Sequence, residues 1–170
     1  MYSLNVPVPS DVARLASDLA RELPDARARR RGEHTLVCKR LDPGEGPDAV
    51  HRLDARLREA VAGTPPFAVR VARVAQFRQA VTGPSPVVYL AVESPGLHEA
   101  HERLCEVFDP VDGLEGDEYT PHVTVARGGS SERADAVCGR EVDPIEWTVE
   151  KLQLYDPDHH QPVRTLSLPA

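Results

Sequence analysis

Along this chain, runs that alternate apolar and polar residues are interrupted almost one for one by single helical runs, and this interleaving restricts the fold most. Strand-like runs cover 2–9, 34–41, 67–77, 87–93, 122–128, 145–156 and 163–169. After Ser10, Val12, Leu15, Leu19 and Leu23 recur at helical spacing, and Pro24 stops that run. Val50, Leu53, Leu57 and Val61 mark a second helix over 48–63, closed by Gly63. Ser94 and Pro95 open a third over 94–109, and a short fourth is expected over 130–139. The nearly unbroken apolar run "VVYLAVE" (87–93) reads as a central strand. Single helices set among so many strands in 170 residues predict one α+β domain, with helices packed on an antiparallel or mixed sheet.

The order also hints at two halves. A helix precedes "HTLV" and another precedes "HVTV", and the leading histidines, His34 and His122, lie 88 residues apart in a chain of 170. Two similar lobes, each giving one histidine to a shared cleft, would produce that spacing.

In "EYTPHVTVAR" (118–127) the period of two puts His122 and Thr124 on one face and Val123 and Val125 on the other. Pro121 has no amide hydrogen, which suits a strand entry. An imidazole beside a hydroxyl offers a proton shuttle and a hydrogen-bond donor to one bound group. The same pattern would also arise from a His and a Thr facing solvent on a half-buried sheet.

"YTPHVTVAR" resembles the second motif of the two-histidine phosphoesterase superfamily, the group that holds the 2′-5′ RNA ligase-like proteins and cyclic phosphodiesterases. That motif reads His, any residue, Thr or Ser, then an apolar residue. The element order resembles the family over nearly the whole chain, including "VVYLAVE" with its helix and the closing "VEKLQLYD" and "RTLSLP" strands. The resemblance implies an α+β fold of two pseudo-symmetric lobes of antiparallel sheet, with helices outside and a central cleft. It implies phosphodiesterase or RNA ligase-like chemistry at a 2′,3′-cyclic phosphate or 2′-5′ linkage of RNA or a nucleotide, with no metal and no cofactor. His34 and His122 would be the general acid and base, with Thr35 and Thr124 holding the phosphate oxygens. Two imidazoles that titrate near neutrality suit this reaction, because one proton must be removed and another delivered to the leaving oxygen.

The first motif departs from the family pattern. Its strand reads Glu33-His34-Thr35-Leu36, so His34 is followed directly by Thr35, and Leu36 stands where a hydroxyl is expected. Either His34 keeps the histidine position, or Thr35 keeps the hydroxyl position and Glu33 takes the place of the histidine. One residue of shift exchanges the faces. A bulge at Gly32 could bring both His34 and Thr35 to the cleft. A binding module that keeps the fold and has lost turnover is the alternative function.

Arg127 falls on the far face by strict alternation, and only a strand end or a bulge would turn it towards the phosphate. Tyr119 would line the cleft or pack in the core. Arg29, Arg30, Arg31, Lys39 and Arg40 would guide an RNA strand or form a solvated face. His98 and His101 are expected as a surface or partly buried pair, and His159-His160 as a solvated turn. The net charge of −7 argues against a general nucleic-acid coat, though not against a small basic cleft. The acidic loop 110–119 argues against a long polyanion lying over it, and the resemblance then implies an RNA end or a small cyclic nucleotide as the partner. Three widely spaced cysteines without a C-x-x-C pair fit free thiols in a reducing cytosol. No apolar run reaches the roughly 18 residues of a membrane span, and "MYSLNVPVPS" has no signal-peptide pattern. A cytoplasmic monomer is the default expectation.

Overall fold

The computed structural model describes residues 1–170. Its strands are β1 (Tyr2–Val6), β2 (Arg27–Ala28), β3 (Leu36–Leu41), β4 (Phe67–Phe77), β5 (Val87–Glu93), β6 (His122–Arg127), β7 (Glu141–Val149), β8 (Lys151–Asp156) and β9 (Gln161–Ser167). Its helices are α1 (Ser10–Ala20), α2 (Ala49–Val61), α3 (Pro95–Cys105) and α4 (Ser131–Cys138), with a 3-10 turn at Gly116–Glu118. The strands form one antiparallel sheet in the order β7-β4-β5-β6-β3-β1-β8-β9, with β2 added beside β6. This is the expected α+β architecture.

The sheet has an approximate two-fold axis between β6 and β3. Each lobe is a strand, a helix and a second strand, β1-α1-β3 in one and β5-α3-β6 in the other. The helices cross over: α1 packs against β6, and α3 against β3 as well as β4. Leu36, Val123, Val125, Val12, Ala16, Leu97 and Leu104 share one core of 33 buried residues that spans both lobes. That burial, rather than the strand pairing at the axis, holds the halves together, since β3 and β6 meet through the single pair Leu36–Val123.

Local chemistry explains the helix starts. The Ser94 hydroxyl accepts from the Leu97 amide at 3.1 Å and donates to the Ala68 carbonyl at 2.6 Å, so the cap of α3 also ties it to β4. Ser130 caps α4 by accepting from the Arg133 amide.

Two expectations need correction. The run 145–156 is not one strand: β7 and β8 lie towards opposite ends of the sheet. Buried Val149 and Leu152 are three apart, so the apolar phase breaks there and the chain crosses from one lobe to the other. The strand expected from residue 34 begins at Leu36, so His34 and Thr35 precede it.

Candidate active site

A cavity of about 240 Å³ opens over the axis between β6 and β3. From β6 it takes His122, Thr124 and Arg127, and from the first lobe Thr35, Val37 and Arg40. Arg29 and Phe77 also line it, and the loops 79–82 and 113–120 close it above.

Two β-bulges determine which side chains reach the cavity. On β6, Thr124 faces Tyr89 and Ala126 faces Val88, so Val125 is an extra residue. The bulge resets the alternation and turns Arg127 to the face that carries His122 and Thr124. On β3, Val37 faces Asn5 and Lys39 faces Leu4, so Cys38 is extra, and Arg40 turns inward in the same way. The bulged residues Cys38 and Val125 are 87 apart, as are Arg40 and Arg127. The axial pair Leu36–Val123 has the same separation. By this symmetry Thr35 is the counterpart of His122, and Val37 the counterpart of Thr124. The first half-site thus carries Thr-Leu-Val where the second carries His-Val-Thr.

His34 does not line the cavity that holds His122. It lies in a neighbouring cavity with Asn5, Ala13, Gln153 and Tyr155, and Thr35 stands between the two and lines both. His34 is 9% exposed, and neither ring nitrogen has a hydrogen-bond partner. Burial, and then the Arg29 charge, push its pKa down, with Glu33 acting the other way. The bulge suggested at Gly32 lies instead at Cys38, beyond His34, and so does not rotate it. Glu33 lines neither cavity.

The tautomer of His122 is set by its neighbour. Nδ1–H donates to the Thr120 carbonyl at 2.6 Å, which leaves the Nε2 lone pair as the free end of the ring. Burial lowers its pKa; the Thr120 bond opposes this, and Arg40, Arg127 and Arg29 lower it further. The imidazole is therefore neutral near pH 7, in the form that accepts a proton. Its ring stands edge-on to Phe77 at 5.1 Å, and Phe77 stacks on Tyr89 at 4.3 Å.

The two symmetric arginines are anchored differently. Arg127 donates to the Thr82 carbonyl at 3.1 Å. Arg40 lies 3.5 Å from Glu115, a carboxylate that is itself fully buried. Glu115 also accepts from the amides of Arg40 and Val111 at 2.7 and 3.0 Å and from Lys39 Nζ at 2.5 Å. Lys39 is fully buried and also donates to the Arg40 and Asp109 carbonyls. This network fixes the loop over the cavity to β3.

Tyr119 is a wall of the site. Its hydroxyl donates to the Val37 carbonyl at 2.8 Å, and its ring stacks on His101 at 3.7 Å. His101 is not a surface residue: it is 1% exposed, its Nδ1–H donates to the Cys38 carbonyl at 2.7 Å, and its Nε2 accepts from the Gly116 amide at 3.0 Å. Sequence reasoning missed His101 and Glu115 because their partners lie 63 and 76 residues away. No group of three or more His, Cys, Asp or Glu side chains is placed to hold a metal ion. No helix is long and apolar enough to cross a membrane.

The chain is thus a two-lobed antiparallel sheet with helices outside and a cleft at its two-fold axis. The crystal structure of TT0787 of Thermus thermophilus has this fold, with a TM-score of 0.69 at 19% identity over 98% of this chain and 97% of that one. So do E. coli LigT complexed with 3′-AMP (TM-score 0.66, 15% identity, 99% and 98% covered) and LigT complexed with NADP+ (0.65, 15%, 99% and 98%). No curated protein matches the chain in sequence. The 2′-5′ RNA ligase superfamily profile matches residues 8–161, and the chain belongs to that family.

Proposed function

We propose that the cleft binds the phosphate of a nucleotide or an RNA end, and that His122 is its single acid–base group. Thr35 and Thr124 offer hydroxyls, and Arg29, Arg40 and Arg127 offer charge to the phosphate oxygens. What supports this reading is the 87-residue symmetry, by which Thr35 and Val37 correspond to His122 and Thr124. One neutral imidazole can take a proton from a nucleophile, but no second group stands ready to protonate the leaving oxygen. Binding with slow or no turnover follows, and this favours the binding-module reading over a full metal-independent phosphodiesterase.

A second reading keeps turnover. Both nitrogens of His34 lack partners and its neighbour Thr35 already lines the cleft, so a rotation at His34 would supply the missing group. Hydrolysis of a 2′,3′-cyclic nucleotide in EDTA separates the two. The first reading expects little product from it, and saturable binding of a nucleotide monophosphate that His122→Ala or Thr124→Val weakens at least fivefold. Rapid hydrolysis that both His122→Ala and His34→Ala abolish would establish the second.

A further inference from the structure

The charge on the cavity wall sets what kind of phosphate fits. Its ionisable lining is Arg29, Arg40, Arg127, Glu118, Tyr119 and His122. Glu118 is the one carboxylate among them, and it is exposed. Glu115, behind Arg40, is already matched by the buried Lys39. No carboxylate pairs with Arg29 or Arg127, and His122 is neutral at pH 7. Three guanidiniums against one carboxylate leave an excess of two positive charges. A cyclic phosphodiester carries one negative charge, whereas a phosphomonoester carries two above its second pKa of about 6.

The free nitrogen of His122 adds an independent requirement. With Nδ1–H committed to the Thr120 carbonyl, Nε2 can only accept, so a ligand hydroxyl beside it gains a hydrogen bond that a ligand without one does not. A ribose with phosphate on one of its 2′ and 3′ oxygens retains a hydroxyl on the other. A 2′,3′-cyclic phosphate has esterified both and offers none.

We infer that this cleft is selective for a ribose 2′- or 3′-phosphomonoester dianion with a free vicinal hydroxyl, and discriminates against the 2′,3′-cyclic diester. The inference rests on the phosphate-binding reading above. The guanidiniums and the two threonine hydroxyls take the dianion, and the vicinal hydroxyl donates to His122 Nε2. A free nucleotide and an RNA 3′ end present the same group.

Calorimetric titration with uridine 3′-monophosphate, its 2′-deoxy analogue and uridine 2′,3′-cyclic monophosphate tests this. At pH 8 the 3′-monophosphate is expected to bind at least tenfold more tightly than the cyclic compound, and several-fold more tightly than the deoxy analogue. The ratio to the cyclic compound should shrink towards pH 5 as the monoester loses its second charge. Protonation of His122 in that range takes away the Nε2 lone pair that accepts the vicinal hydroxyl, a bond that only the monoester makes, and so lowers the ratio in the same direction. Arg29→Gln, at an exposed position, should cut monoester affinity at least fivefold and affect the cyclic compound less. A trinucleotide ending in a 3′-phosphate distinguishes the sources: tighter binding assigns the site to RNA ends, and equal binding to the free nucleotide. Equal or tighter binding of the cyclic compound at pH 8, or of the deoxy analogue, overturns the inference and leaves the phosphate-binding reading standing. If none of the ligands binds, both fall.

Discussion

His122 opens β6 while His34 lies two residues before β3, and one residue of register separates their roles. His122 has one nitrogen bonded and one free at the cavity. His34 has two buried nitrogens and no partner for either. An unsatisfied buried polar group costs about 1–3 kcal/mol, so His34→Leu is expected to leave stability at pH 7 unchanged or raise it by about 1 kcal/mol. Acid supplies a second readout. The folded-state pKa of His34 lies below its ordinary value of about 6.5, so below that pH the unfolded chain binds more protons and stability falls. The variant should lose less stability between pH 6.5 and 5 than the natural protein, as measured by urea unfolding. A destabilisation of 2 kcal/mol or more at pH 7 would contradict this account of His34. The second motif was readable in the sequence because Pro121, His122 and Thr124 carry their chemistry at fixed spacing. The first was not, because an offset of 88 between histidines and one of 87 between strands look alike until pairing is known.

At the scale of elements, bulges and a loop complete the site. The bulge at Val125 turns Arg127 inward against strict alternation, and nothing in "VAR" announces it. The loop 110–119 reads in sequence only as an acidic loop, with Asp112, Glu115, Asp117 and Glu118. One of its carboxylates, Glu115, is instead buried against Lys39, and the loop carries Tyr119 to the cavity. Removing one member of such a pair leaves an uncompensated charge in the core. Glu115→Gln is therefore expected to cost about 3–5 kcal/mol in urea unfolding and to weaken phosphate binding, because Arg40 loses its anchor. A cost under about 1 kcal/mol would show that the pair is not buried as described. The helices were the most legible elements: Ser94 with Pro95 marks a start in sequence, and the serine caps α3 in the structure. The split between β7 and β8 was hidden because both halves alternate.

For the whole molecule, the two-fold axis is the organising feature. It places β6 and β3 side by side, crosses α1 and α3 between the lobes, and opens the cavity over Leu36 and Val123. The repeated strand–helix–strand order made this architecture visible in the sequence, while the loss of equivalence between the half-sites became visible only through strand register. The central claim is that the first half-site lacks its histidine and hydroxyl because Thr35 and Val37 occupy those places. The most direct measurement is the rate of 2′,3′-cyclic nucleotide hydrolysis by the double variant Thr35→His, Val37→Thr beside the natural protein. A restored acid–base partner should raise the rate by about 10²-fold or more, and adding His122→Ala should abolish the gain. A natural protein that already hydrolyses the substrate as fast as the double variant, and loses that activity on His34→Leu, would contradict the claim.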